Sequence, residues 1–370
     1  MKRGIILVGQ TPPPFHGQAI AIQNQLSFDY ADYQFHHVRM AFSESSAEVG
    51  GFSLKKVFEV FRVIGMTLKE RMTTGATTLY YHPAGGDTVP IIRDFLMLLA
   101  LRPFFKTLIF HYHADGLTDR YRDSTSKIFR WLFRRAYFGA DIGIKVSAGS
   151  NIDLDLLETR YGTVVLNSVN APDEVTEPIP ERTGNKIMFL GSVIETKGVK
   201  ELVDALSVVV KSHPDTEVHI VGAYTPEFGE ELMNHAETLG VKENVYLHGQ
   251  QTGADKGRIF AECDIFCFPS FYPKETFGLV VAEAMSFELP VVATRWKGIP
   301  EVTGEEGCGF LVEVHDTEEL AKKLNTLLED ASLREEFGKN GRARYEEFFS
   351  LASLQERLET ELGKGLRQAN

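Results

Sequence analysis

The stretch KETFGLVVAEAMSFELPVVAT, residues 274–294, joins a loop, a buried helix and a strand, and it indicates the class of fold. An apolar run with helical spacing begins near Gly278 and ends before Pro290, and the β-branched residues that follow are typical of a strand. The preceding segment, DIFCFPS at residues 264–270, has the composition of a buried strand. Strand, helix and strand in this order are typical of a parallel sheet covered by helices.

The helix in this stretch begins where a ligand can reach it. Ligands of parallel sheets bind beyond the carboxyl ends of the strands, and this helix follows such an end. The backbone N–H groups of Gly278, Leu279 and Val280 have no acceptor inside the helix, and the helix dipole favours an anion beside them. The pattern therefore predicts a bound phosphate at this helix start.

Two glutamates flank the helix start. Glu275 lies before the helix, and Glu283 lies about one and a half turns inside it. Carboxylates are rarely buried without a partner, and the sequence places no obvious cation beside either one. A vicinal diol offers a carboxylate two hydrogen bonds, as in ribose recognition. We therefore expect sugar hydroxyls to be the partners of both glutamates.

The same alternation of short β-rich segments and helical patterns extends along the whole chain. Residues 170–185 interrupt it with three prolines and several acids, which is typical of a linker. We expect an α/β fold of two doubly wound, Rossmann-like domains that face each other across a cleft. The expected limits are 1–170 for the N-terminal domain, 171–185 for the linker, 186–349 for the C-terminal domain and 350–370 for an amphipathic helix that packs back across the domain junction. The strand candidates are residues 4–9, 33–38, 77–82, 106–113, 141–146, 163–167, 186–191, 216–222, 244–249, 264–270, 290–294 and 309–313.

Composition and charge exclude two classes of function. Up to Pro180 the chain has 19 Lys and Arg against 18 Asp and Glu, and the remainder has 20 against 33, so the acidic half argues against nucleic-acid binding. The most apolar segment, residues 89–101, contains two charges and is shorter than a membrane span. The start MKRGIILVG leads directly into a strand, so we expect no signal peptide. Three cysteines, an odd number, favour packing roles in a reducing cytoplasm rather than disulfides.

Two basic, aromatic-rich segments in the first half have the pattern of amphipathic helices. They are SLKKVFEVFRVIGMTLKERM at residues 53–72 and KIFRWLFRRAYF at residues 127–138. One interpretation is that each helix simply covers the sheet. The other is that the basic faces contact anionic lipid or a lipid-linked substrate, which would place the chain on the inner face of the cell membrane.

The glutamate pair, the Phe-Gly turn and the downstream GIPEVTGEEGCGFLV (residues 298–312) resemble glycosyltransferase family 4, whose fold is GT-B. The similarity covers nearly the whole chain and is strongest over residues 186–348. It implies transfer of a sugar from a nucleoside diphosphate sugar, UDP- or GDP-linked, with retention of anomeric configuration and without metal or cofactor. The N-terminal domain would then serve the acceptor and the C-terminal domain the donor. A lipid-linked or surface-polysaccharide glycan is the acceptor we expect.

The resemblance implies roles for individual residues of the C-terminal domain. Glu283 would hold the ribose, Glu275 would hold the transferred sugar near the reacting face, and Phe277 would line the donor site with the helix start. In the segment FLGSVIETKG, Lys197 matches the family's phosphate-binding lysine. Ser192 stands where the family usually has an arginine, so one phosphate contact is replaced by a hydroxyl. A solvated lysine at a helix start is the alternative interpretation of Lys197.

In the first domain, the loop GQTPPPFHGQ places Gly17 before a helix, where the resemblance implies an approach to phosphate or acceptor. The strand end LIFHYHADG carries His111 and His113 on one side. The resemblance favours His113 as a catalytic contact of the donor sugar, with His111 as the alternate, and a buried core histidine is the other interpretation. Two histidines can ligate zinc, but the sequence shows no third ligand with suitable spacing.

Other classes of site and function remain open. Asp153 and Asp155 form an Asp-x-Asp pair of the kind that holds a cation in other transferases, but their place at a predicted helix start favours a capping role. A nucleotide-sugar epimerase shares the two-domain architecture, although no acid–base pair for it is evident. Ser192 in place of the arginine leaves open a third function, that of a protein that binds a sugar nucleotide without turning it over.

Overall fold

The computed structural model of the chain describes residues 2–13, 17–42, 54–170, 182–273 and 275–369. The chain divides into two compact units, Met1–Asn167 with Leu351–Asn370, and Ser168–Ser350. Each unit contains a parallel sheet covered by helices, which confirms the predicted α/β class. Most of the predicted linker, residues 171–181, lies outside the described residues, so the domain limits stay a prediction.

The first unit contains a sheet of order β2-β1-β3-β4-β5-β6, counted over the described residues. The order changes direction at β1, so the carboxyl ends of β1 and β3 flank the point where doubly wound folds usually bind ligands. The last strand begins and ends earlier than the predicted segment 163–167. The strands are β1 Arg3–Gly9, β2 Tyr33–Arg39, β3 Thr78–Tyr81, β4 Thr107–Tyr112, β5 Ile142–Lys145 and β6 Tyr161–Val164.

Helices cover both faces of this sheet. Apolar residues of α2, α3 and α5 pack on one face in a single buried cluster, and α1 packs on the other. Asp94, a fully buried residue of α3, accepts hydrogen bonds from the hydroxyls of Tyr81 and Tyr137 at 2.7 and 3.0 Å and pairs with Arg93. The helices are α1 Gly17–Ser27, α2 Leu54–Thr74, α3 Thr88–Leu101, α4 Leu117–Asp123 and α5 Lys127–Tyr137, with a 3₁₀ turn at Arg102–Phe104.

The second unit contains a sheet of order β9-β8-β7-β10-β11-β12, again counted over the described residues. This is the strand order of the dinucleotide-binding Rossmann fold, whose switch point lies between its first and fourth strands, here β7 and β10. The cysteines of this unit, Cys263, Cys267 and Cys308, are buried and unpaired, as the packing interpretation predicts. The strands are β7 Lys186–Leu190, β8 Glu217–Val221, β9 Val245–Gly249, β10 Ile265–Phe268, β11 Val291–Thr294 and β12 Gly309–Val312.

Seven helices are described in the second unit. One glycine shows how closely the elements approach: Gly222, just after β8, has a φ of +149°, and a Cβ there would lie 1.7 Å from the Gly191 carbonyl oxygen. Only glycine fits there. The helices are α6 Val199–Val209, α7 Pro226–Thr238, α8 Gly253–Glu262, α9 Leu279–Ser286, α10 Ile299–Thr303, α11 Thr317–Glu329 and α12 Ala331–Phe348, with 3₁₀ turns at Glu195–Lys197 and Lys242–Asn244.

The last helix, α13 at Leu351–Gln368, belongs to the first unit. Its leucines join the buried cluster on the α1 face of the sheet. Its Glu361 accepts hydrogen bonds from the hydroxyls of Tyr161 and Thr163, both at 2.6 Å, which ties α13 to the edge strand β6. The chain therefore returns to the first unit after completing the second.

Candidate functional site

The loops that follow β7 and β10 are joined at the switch point of the second sheet. The N–H of Phe271 donates to the carbonyl of Thr196 at 2.9 Å. Gly198, which precedes α6, has a φ of +77°, and a Cβ there would lie 2.1 Å from the carbonyl oxygen of Pro269. Because only glycine permits this approach, the start of α6 lies directly against the loop after β10.

Lys197 and Glu275 form an ion pair at this junction. The Lys197 ammonium lies 2.5 Å from Oε2 of Glu275, and each side chain is only 13% exposed. Ser270 donates its hydroxyl to the same carboxylate oxygen at 3.4 Å. The ammonium also lies 5.2 Å from the ring centre of Phe268 and 4.8 Å from that of Tyr272, which holds it by cation–π attraction. The interpretation of Lys197 as a solvated surface lysine is therefore wrong.

The helix predicted to hold phosphate is α9, which begins at Leu279 after Gly278 in a left-handed conformation with a φ of +79°. The loop that follows β11 holds the residues that precede α9. The indole N–H of Trp296 donates to the carbonyl of Tyr272 at 2.8 Å, and Lys297 donates to the carbonyl of Pro273. The N–H groups of the first turn, including Leu279 and Val280, have no acceptor within a helix by geometry.

Phe277 does not offer its ring to a ligand. The side chain is buried and packs edge-to-face on Phe349 at 5.7 Å between ring centres. The family resemblance predicts that Phe277 lines the donor site as part of the Phe-Gly turn. The structure limits that contribution to its backbone, because the ring anchors the loop to the core.

Glu283 has a partner that the sequence analysis missed. Its carboxylate lies on α9 and pairs with the ammonium of Lys256 from the first turn of α8. Both glutamates therefore have lysine partners, Glu275 with Lys197 and Glu283 with Lys256, and the expectation that no protein cation lies beside them is wrong. The partners are distant in sequence, and strand order alone brings them together.

Ser192 lies in the loop between β7 and the 3₁₀ turn that carries Lys197. Its side chain is exposed, and its carbonyl accepts a hydrogen bond from the N–H of Ile194 at 3.1 Å. The preceding Gly191 donates to the carbonyl of Val221 at 3.0 Å, which fixes the loop to the end of β8. A longer side chain at position 192 would therefore extend from a fixed backbone into open space.

In the first unit, Gly17 is the first residue of α1, while the preceding His16 lies outside the described residues. Gly9 ends β1 beside this helix, and a Cβ there would lie 2.8 Å from Ile22 of α1 and 3.1 Å from the ring of His82. The middle of α1 and the end of β3 thus lie close to the end of β1, at the switch point of this sheet.

His111 and His113 are joined by a third histidine, His82, which directly follows β3. One ring nitrogen from each of the three lies within 4.8 Å of the others. His111 also shares a 2.8 Å hydrogen bond with the hydroxyl of Tyr80. Burial lowers the pKa of His82 and of His111 well below the usual histidine value, and the neighbouring His113 lowers it further. Strand pairing thus places a third histidine beside the two that the sequence pattern singled out, which their local spacing did not show.

Asp153 of the Asp-x-Asp pair has side-chain partners within the first unit. Asp153 accepts the N–H of Leu156 at 2.8 Å and pairs with the guanidinium of Arg122. The segment after it is a turn over residues 154–158, not the predicted helix. Asp153 therefore caps a turn, which agrees with the structural interpretation of the pair.

The chain is similar in sequence to known glycosyltransferases. The family model described as Glycosyl transferases group 1 matches residues 173–344. Alpha-maltose-1-phosphate synthase of Mycolicibacterium smegmatis is 30% identical over 270 residues, which are 66% of this chain and 67% of that protein. The chain belongs to the glycosyl transferases group 1 family. Its membership agrees with the family resemblance found in the glutamate and Phe-Gly motif.

Other curated relatives match over shorter regions of the chain. The capsular polysaccharide biosynthesis glycosyltransferase CapM of Staphylococcus aureus is 28% identical over 183 residues, 50% of this chain and 47% of that protein. The chain thus matches about half the length of such curated relatives. The crystal structure of Anabaena Alr3699/HepE in complex with UDP has a TM-score of 0.72 at 19% identity, covering 98% of this chain and 100% of that one. This similarity confirms the predicted GT-B fold.

Proposed function

We propose that this group 1 glycosyltransferase moves a sugar from a nucleoside diphosphate sugar to an acceptor hydroxyl, with retention of anomeric configuration. The observation that carries the proposal is the Lys197–Glu275 pair at the switch point, next to the start of α9. It combines a cation for phosphate with a carboxylate for sugar hydroxyls. The complex of HepE with UDP supports a uridine diphosphate donor, and a guanosine diphosphate donor is tested beside it.

In the proposed reaction, the leaving diphosphate gains negative charge as its bond to the anomeric carbon breaks. An ammonium has three donors, so the bond of Lys197 to Glu275 leaves others for phosphate oxygens. Together with the first N–H groups of α9, these donors are fixed before the charge develops, which is the condition for electrostatic catalysis. The acceptor oxygen bonds to the anomeric carbon on the face that the diphosphate leaves. The acceptor's proton passes to the departing phosphate oxygen.

Glu283 would accept hydrogen bonds from the ribose hydroxyls, and Glu275 would accept them from the transferred sugar. The lysine partners of both glutamates hold the carboxylates in place, so their oxygens are positioned to accept hydrogen bonds. The roles of His113 as a sugar contact and of Gly17 as a backbone contact stay predictions that follow from the resemblance.

Product analysis tests the reaction class. The chain is incubated with a panel of UDP- and GDP-linked sugars and candidate acceptors, and products are separated by mass and by anomeric configuration. A glycoside with the configuration of the donor supports the proposal. An epimerised nucleotide sugar, or binding seen by thermal shift without any product, would instead favour the epimerase or the binding protein.

Chelation is expected to leave transfer intact, because Lys197 and helix N–H groups occupy the role that Mg²⁺ or Mn²⁺ has in other transferases. Initial rates are measured after dialysis against EDTA and after addition of each metal. Rates within about twofold of the untreated enzyme are expected, since no interaction with the leaving group is removed. Loss of most activity in EDTA, restored by Mg²⁺ or Mn²⁺, would contradict this and turn attention to Asp153 and Asp155.

We further propose that the acceptor is carried on a lipid, and the outer surface of α2 and α5 supports this. Both helices pack on the sheet with one face, yet their other faces leave large apolar side chains exposed, including Phe58 at 73% and Ile128 at 74%. Exposed lysines and arginines, such as Lys127 and Arg130, surround them on α5. None of the described helices is long and apolar enough to cross a membrane. The name of CapM, a capsular polysaccharide enzyme, agrees with an acceptor of the cell surface.

Vesicle binding tests this surface. The chain should co-sediment with anionic vesicles at low salt and be released at high salt. Each Lys or Arg near such a surface contributes about 1 kcal/mol, so Lys127→Ala with Arg130→Ala should weaken partition by about 2 kcal/mol, more than tenfold. Lys322→Ala with Lys339→Ala, an equal charge change at exposed lysines of the second unit, is the matched control. Absent binding at low salt, or an equal effect of the control, would favour a soluble acceptor.

A further inference from the structure

Three imidazoles meet at the carboxyl ends of β3 and β4. The ring centres of His111 and His113 are 4.2 Å apart, and the ring of His82 lies 5.5 and 5.1 Å from them. Parallel pairing of β3 with β4 produces this arrangement, since Tyr81 aligns with Phe110 and the residues that follow each strand lie side by side. The cluster lies in the first unit, whereas the proposed phosphate-binding residues lie in the second.

In the part of the chain that the structure describes, ring nitrogens of His82 and of His111 are buried and lack hydrogen bonds of normal geometry. His82 is fully buried, and His111 and His113 are 3% and 9% exposed. Within the described residues, Nε2 of His111 makes no hydrogen bond of normal geometry, and the ring of His82 has only a looser contact with the backbone of His111. Buried polar groups nearly always have partners, so an orphaned imidazole at the ligand-binding edge of a sheet indicates a missing ligand.

A neighbouring hydroxyl orients one ring as metal-bound histidines are usually oriented. Tyr80 holds Nδ1 of His111 at 2.8 Å, which leaves Nε2 of the same ring for another partner. Histidines that bind metals generally have their second nitrogen fixed by such a contact, which sets the tautomer and the direction of the lone pair. Tyr80 is itself fully buried, so its hydroxyl is a permanent part of the cluster.

We propose that His82, His111 and His113 together bind a divalent transition-metal ion, with Zn²⁺ the first candidate. Three neutral imidazoles with a fourth position left open form a known zinc ligand set. Zn–N bonds of about 2.0–2.1 Å require ligand nitrogens about 3.3 Å apart. The nitrogens lie within 4.8 Å of one another, so closing the site requires them to approach by up to about 1.5 Å.

The proposed metal site shares His113 with the predicted sugar contact, but ion binding there does not depend on the proposed sugar transfer. An ion bound to His113 would keep this side chain from contacting the donor sugar. Added Zn²⁺ is therefore expected to inhibit transfer and not to support it. The competing interpretation is that the three rings simply fill the core as stacked neutral side chains. Direct measurement of binding separates the two interpretations without any assay of activity.

The test uses cobalt as a spectroscopic probe of the whole chain. Tag-free protein is stripped with a chelator, transferred to chelator-free buffer and titrated with Co²⁺, and Zn²⁺ is then added. We expect a visible absorption band that saturates at about one Co²⁺ per chain and is displaced by Zn²⁺. His82→Ala and His113→Ala should abolish the band, and Tyr80→Phe should weaken affinity by about tenfold, as for other contacts that orient a ligand.

His219→Ala is the matched control. His219 lies 2.9 Å from His248 in the second unit, so it is also part of a close histidine pair but has no place in the proposed site. Its variant should bind Co²⁺ like the wild type. Circular dichroism of each variant establishes that it is folded, and His82 and His113 provide independent losses if one variant is not. A wild type without the band, or an equal loss in His219→Ala, would overturn the proposal.

Discussion

Replacement of Lys197 by alanine is expected to lower transfer efficiency by about tenfold to a hundredfold. Hydrogen bonds to charged groups contribute about 1.5–3 kcal/mol each, and Ser192 in place of an arginine leaves Lys197 as the main side chain for the diphosphate. Donor affinity and transfer rate are measured with the donor found in the product screen. An effect close to neutral would place the diphosphate elsewhere.

Two variants separate this effect from a loss of stability. Lys197→Ala leaves Glu275, only 13% exposed, without its cation, and such a carboxylate destabilises the fold. The double variant Lys197→Ala with Glu275→Ala removes the unpaired charge and should regain thermal stability without regaining transfer. Lys200→Ala, at the start of the same helix, breaks a pair with the more exposed Glu231 and should leave transfer unchanged.

The departure at Ser192 supplies a gain-of-function test. A serine hydroxyl gives a phosphate one neutral hydrogen bond, whereas arginine gives a charged, two-pronged contact. Ser192 is exposed on a loop that Gly191 fixes to β8, so an arginine fits there without displacing other side chains. Ser192→Arg should therefore restore part of the transfer that Lys197→Ala removes. No recovery in the double variant would mean that position 192 does not face the diphosphate.

Glu275→Ala is expected to lower turnover, whereas Glu283→Ala is expected to lower the affinity for the nucleotide. Without Glu275, turnover should fall on the order of a hundredfold or more, because two hydrogen bonds to the transferred sugar are lost. Nucleoside diphosphate affinity should stay the same or rise, since the ammonium of Lys197 is released from its carboxylate. Without Glu283, affinity for both nucleoside diphosphate and donor should fall about tenfold, because the ribose contact is lost.

Calorimetric titration with the free nucleoside diphosphate, beside steady-state transfer kinetics, distinguishes the two glutamates. Glu237→Ala is the matched control, because Glu237 also pairs with a lysine, Lys242, but lies on the surface. It should change neither quantity, as exposed ion pairs contribute little. Equal losses of nucleotide affinity in Glu275→Ala and Glu283→Ala would contradict the assignment of ribose to one and sugar to the other.

The strands and their order along the chain follow from local pattern, and the sequence alone determines them. Apolar β-branched runs between helical segments must be buried on both faces, which only a parallel sheet covered by helices allows. The predicted segments for β1 and β7 therefore agree with the structure to within one residue. The limits of the edge strand β6 differ from the prediction. One side of this strand has no neighbouring strand among those described, and its alternation of half-buried and exposed residues marks its ends less clearly than a continuous apolar run would.

Sequence motifs identify Lys197 and Glu275 as candidate site residues, but only the tertiary structure shows that they are in contact. They are 78 residues apart and meet because β7 and β10 are neighbours at the switch point. The contact of Lys256 with Glu283 and that of His82 with His111 and His113 also join segments that are separate along the chain. No local spacing relates these residues, so the sequence pattern does not predict that they meet. Likewise, the leucine periodicity of α13 predicts that it packs, and only the folded chain decides on which sheet. Sequence pattern fixes what must be buried, while strand pairing fixes which buried residues meet.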